Sequence, residues 1–132
     1  MEKWLYHATF RTNLKSIKEL GLGAKQRKNW EISRDNVVCF ASDPDIANDF
    51  CECAEDVSDS VFNSGIIVLA VKVSDLNLKL LSRDKNILDD SNCFVYKGII
   101  DANKLYVISD EKGLVGKLLD LKRVPSFYKN FY

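Results

Sequence analysis

His7 is the only histidine in this 132-residue chain, and it stands in an aromatic stretch, "WLYHATF", that reads as a strand. An imidazole can exchange hydrogen bonds with a substrate hydroxyl, or move a proton if a carboxylate or nucleophile is brought to it. In a strand, Leu5 and Thr9 share its side while Tyr6 and Ala8 point the other way. A lone histidine is also an ordinary structural residue, so its partners decide its role. Cys39, Cys51, Cys53 and Cys93 are the chain's four thiols. Cys51 and Cys53 lie two apart in a helical pattern and so point to different sides, which does not suit a shared metal. Apolar filling suits the cysteines better. A third group lies at residues 25–34, "KQRKNWEISR", where Lys25, Arg27, Lys28 and Arg34 surround Trp30. Cations of this kind pair with phosphate, and an indole stacks on a base.

These residues need elements to hold them. Residues 4–10 form the first strand. Thr12 offers an N-cap, Leu14, Ile17 and Leu20 an apolar stripe, and Gly21 a stop, which predicts a short helix. Residues 22–36 have no period and read as a loop. "NVVCFAS" (36–42) is the next strand, followed by Asp43 as N-cap and Pro44 in the first helical position. Ile46, Ala47 and Phe50 continue that helix. "GIIVLAVKV" (65–73) is apolar enough for a central strand covered on both sides. Residues 74–92 read as a short strand or turn among loops, 93–100 and 104–109 as two further strands, and "GLVGKLLDLK" (113–122) as a final helix. The tail "SFYKNFY" carries four aromatics; it packs on its own domain, on a second copy or on a protein partner. The order argues one α+β domain spanning 1–132, with a core at about 4–109 and a C-terminal helix and tail at 110–132.

Read in order, "LYHATFRTNLKSIKELGL", an irregular loop, "VVCFASDPDIANDF" and "FVYKGIIDANKLYVI" resemble the ADP-ribosyltransferase fold family, in its bacterial and poly-ADP-ribose-polymerase-like branches. The resemblance covers residues 4 to 109. It implies a split mixed or antiparallel sheet with short flanking helices, and NAD as substrate for mono-ADP-ribosyl transfer to a protein or nucleic acid acceptor. By the resemblance His7 meets a ribose hydroxyl, the backbone of Ala8 meets the nicotinamide amide and Thr9 assists through its hydroxyl. Phe50 packs against the nicotinamide ring, with Phe40 beside it. Arg27 and Trp30 lie over the pyrophosphate and adenine side. Two positions depart from the family pattern. Cys39 stands where a stacking tyrosine is usual, and Cys93, with Asp90 and Asn92 near it, where the family has a catalytic glutamate. A neutral thiol does not stabilise positive charge developing at a ribose carbon as a carboxylate does.

Two rival readings follow. One is a catalytically inactive module of the same fold that holds NAD, ADP-ribose, a related nucleotide or a protein partner. The other is a 2′-phosphotransferase, for which only Arg11, Arg27 and Arg34 are available. Lys plus Arg and Asp plus Glu both total 19, giving no net charge, which argues against a generally basic nucleic-acid or membrane-surface binder but not against a local patch. No apolar run is long enough for a membrane span and the N-terminus lacks a secretory pattern, so the cytoplasm and reduced thiols are expected.

Overall fold

The sheet is built outward from β1 (Trp4–Phe10) and β3 (Ile66–Lys72), which pair antiparallel along their whole length, from Trp4 opposite Lys72 to Phe10 opposite Ile66. A computed structural model describes residues 3–23, 37–52, 57–83 and 93–127. β3 is buried from Ile66 to Val71, as its unbroken apolar run requires of a strand covered on both faces. The other strands are β2 (Val38–Ala41), β4 (Leu81–Arg83), β5 (Cys93–Tyr96), β6 (Tyr106–Ile108) and β7 (Leu114–Lys117). They complete one seven-stranded sheet in the order β4-β5-β2-β1-β3-β6-β7, antiparallel at every pairing. The fold is α+β, and of the mixed or antiparallel sheet expected, every pairing is antiparallel.

The two sheet faces carry different loads. Leu5, Val38, Phe40, Ile67, Leu69, Val71, Tyr96 and Val107 form the main core with Leu14 and Ile17 of α1 (Leu14–Leu20). On the other face, Cys51 of α2 (Pro44–Glu52) packs with Phe10 and Ile66, while Phe127 covers Val68, Ala70 and Ile108. A third helix, α3 (Asp59–Asn63), is capped by the Ser58 hydroxyl, which accepts from the Val61 N–H at 3.3 Å. The signals for α2 act as read: Asp43 Oδ1 accepts from the Asp45 N–H at 2.7 Å. α1 starts later than Thr12 predicts, after a 3-10 turn at Arg11–Asn13. Gly21 closes α1 at φ 91°, and a side chain there would sit 2.9 Å from the Ile100 carbonyl oxygen. That close approach lets Leu22 bridge to Ile100.

The expected helix at 113–122 is overturned. Residues 114–117 are β7, hydrogen-bonded to β6, and Leu118–Asp120 is a 3-10 turn. Gly113 and Gly116 weaken helix at that stretch, and the open edge of β6 offers a ladder instead. Leu118 still reaches the core, fully buried. Among the described residues no helix is long and apolar enough to cross a membrane.

Candidate functional site at the seam between β1 and β2

β1 and β2 pair only at Tyr6 and Ala41, in contrast to the seven paired positions of β1 and β3. At the next position the main chains give way to a side chain: His7 Nδ1 donates to the Cys39 carbonyl oxygen at 2.8 Å. A backbone acceptor beside a failing ladder still needs a donor, and the imidazole supplies it. This fixes the proton on Nδ1 and leaves the Nε2 lone pair as an acceptor. Burial lowers the His7 pKa, only partly offset by the bond to Cys39, which favours the neutral ring. His7 is half-buried. The site therefore presents a neutral acceptor, matched to a donating hydroxyl.

Strand register sorts the other candidates. Tyr6 opposite Ala41 places His7 across from Phe40, and the two rings lie edge to face at 6.0 Å. Phe40 is in turn opposite Phe94. His7, Phe40 and Phe94 thus form one row on the main-core side. Thr9 shares that side and is buried; its hydroxyl oxygen accepts from Asn13 Nδ2 at 2.9 Å. Ala8, Cys39 and Cys93 alternate to the opposite side, the one that α2 covers. Cys39 is exposed there, whereas Cys93 is buried beside Ala41. Phe50 lies on α2, 41% exposed, and is not locked into the core.

The structure therefore places Ala8 and Cys39 on the α2 side of the sheet and His7 on the main-core side, where the β1–β2 pairing ends, with Phe50 exposed on α2. It does not bring Cys93 within the histidine's row: the buried thiol lies on the other face of the sheet. Arg27, Trp30, Asp90 and Asn92 lie outside the described residues. Arg11 is committed elsewhere: its guanidinium donates to the Ser64 carbonyl at 3.2 Å and to Ser126 Oγ at 3.0 Å.

One residue gained no role from the sequence. Asn48 is 1% exposed on α2, and among the described residues neither its amide nitrogen nor its oxygen has a hydrogen-bond partner. Pro44, Ala47, Asn48 and Cys51 are the buried positions of α2, spaced as one helical stripe. A lone polar residue in such a stripe is a signal the sequence does carry. Among the described residues no cluster of histidine, cysteine or carboxylate side chains could hold a metal. No family model, no curated protein and no solved structure matches the chain.

Proposed function

We propose that this chain is a small ADP-ribosyltransferase-like protein that takes NAD at the β1–β2 seam and passes one ADP-ribose unit to a protein or nucleic acid acceptor. The observation that carries the reading is the bond from His7 to the Cys39 carbonyl, which leaves a neutral Nε2 acceptor where β1 and β2 stop pairing. A ribose hydroxyl is a donor of the matching kind. Ala8 retains the backbone N–H and C=O for an amide, and the partly exposed Phe50 ring offers a face for a pyridine ring. NAD supplies an activated glycosidic bond: ribose C1′ exchanges nicotinamide, which leaves with the bonding pair, for an acceptor atom that gives up its proton. The chain's part is to bind and orient the ribose.

A second reading has one observation in its favour. Cys93, at the family's glutamate position, is buried on the far face from His7. In that reading the chain holds NAD or ADP-ribose without turning it over. Calorimetry with NAD and with ADP-ribose, on wild type and His7→Ala, tests the shared claim. Binding should weaken by the equivalent of about 1–3 kcal/mol in the variant, and no binding by wild type would end both readings. Chromatography for released nicotinamide separates them: turnover supports transfer, and binding without release supports the module.

A further inference from the structure

The sheet face beyond α2 carries a second feature that is independent of the NAD reading. Trp4 stands opposite Lys72, and Tyr6, Ala70, Tyr106 and Lys117 lie in one row across β1, β3, β6 and β7. Neighbouring strands are about 4.8 Å apart, so this row spans a length suited to stacked rings. The Trp4 and Tyr106 rings meet edge to face at 5.1 Å. Lys72 Nζ lies 5.9 Å from the Trp4 ring centroid and 5.7 Å from that of Tyr106; Lys117 Nζ lies 5.9 Å from Tyr106. The rings of Trp4, Tyr6 and Tyr106 are only half-buried, and Lys117 and Leu114 are exposed. Beside them Trp4, Tyr6, Ile108, Lys112 and Leu114 line an open cleft of about 200 Å³. That is below the roughly 300–1,000 Å³ of sites that enclose a drug-sized molecule, so it admits one flat ring and leaves the remainder of a ligand outside.

We propose that this face binds single-stranded nucleic acid, with a base over the Trp4–Tyr6 cleft and phosphates along Lys72, Lys112 and Lys117. Half-exposed aromatic rings beside cations, around Ala70 and Ile108 that Phe127 covers, are the chemistry that stacks a base and pairs with phosphate. A duplex buries its base faces and cannot use the rings. An acidic peptide could use the lysines but not the flat cleft. Carboxylates lie at this end of the face too: burial, with the Asp43 charge, raises the Tyr6 phenol's pKa, and Asp45 pairs with Lys112 at 2.7 Å. A phosphate must compete with Asp45 for Lys112, and Lys72 and Lys117 carry the larger part.

The test uses the whole chain without NAD and a fluorescein-labelled twelve-residue oligothymidylate, read by anisotropy. Binding should fall as salt rises, with a log–log slope of about −2, as expected for three phosphates on a single strand. In a Trp30→Phe background the oligonucleotide should quench Trp4. Lys117→Glu, on the exposed edge strand, should weaken binding at least tenfold, and Leu114→Ala less. Equal affinity for a duplex of the same length, or for polyphosphate, would overturn the stacking claim. No binding at low salt, or binding indifferent to Lys117→Glu in a variant whose circular dichroism is unchanged, would overturn the surface itself. None of these outcomes depends on whether the seam takes NAD.

Discussion

The imidazole of His7 and the carbonyl of Cys39 meet at 2.8 Å where the β1–β2 ladder ends. This single contact ties the only ionisable ring of its kind in the chain to the backbone of the neighbouring strand. It sets the tautomer, and with burial it sets the charge.

The charge has a consequence for stability. Burial holds the folded His7 pKa below the ordinary 6.5, so the unfolded chain binds the proton more readily. Stability contributed by neutral His7 is fully present above about 6.5 and is lost as pH falls through the depressed folded value. Urea unfolding followed from pH 8 to pH 5 should show a decline that His7→Gln reduces. An NMR titration of the imidazole should place its midpoint under 6.5; a midpoint above it would contradict the burial account.

The thiols should react in a fixed order. Cys39 is exposed, whereas Cys51 is buried and burial, with Glu52 nearby, pushes its thiol up to about 12. In a Cys53→Ser background at pH 8, a maleimide should modify Cys39 first and leave Cys51 untouched in the folded protein, as read by peptide mass mapping. If NAD occupies the seam, saturating NAD should slow the Cys39 reaction. Equal rates for the two thiols would mean that α2 does not seal Cys51.

Asn48 gives a test that separates packing from binding. Its amide is buried without a partner among the described residues, an arrangement that carries a desolvation cost of about 1–3 kcal/mol. Asn48→Leu should therefore be neutral or stabilising in thermal unfolding, whereas Ile17→Ala, at a fully buried position, should cost about 2–5 kcal/mol. A loss of NAD affinity in Asn48→Leu, with stability kept, would assign the amide to the ligand.

Restoring the family's acid at its aligned position should not restore chemistry. Cys93 is 1% exposed on the side away from His7, so Cys93→Glu buries a carboxylate and should destabilise by about 3 kcal/mol or more. Nicotinamide release should stay flat in that variant. A rise in release by a folded Cys93→Glu protein would show that the carboxylate reaches the seam after all.

Much of the fold was legible residue by residue, because the signals were local. The strand at 4–10, Gly21 after the Leu14–Ile17 stripe, the Asp43–Pro44 helix start and the continuous apolar run of β3 each act within a few residues. The candidate site was legible only in part: His7 and Thr9 do share a side, but the alignment to Cys39 and Cys93 falls on the opposite parity from the histidine. A strand's side chains alternate with a period of two, so one position of register reverses the face, and register is set by pairing between distant segments. The same distance effect turned 114–117 from a helical pattern into an edge strand, since β6 offered hydrogen bonds that no local window contains. It also assembled Trp4, Lys72, Tyr106 and Lys117, which are scattered through the sequence, into one row. What the sequence determined by itself is which segments bury and which stop; tertiary pairing decided which side chains face one another, because only the assembled sheet fixes their parity.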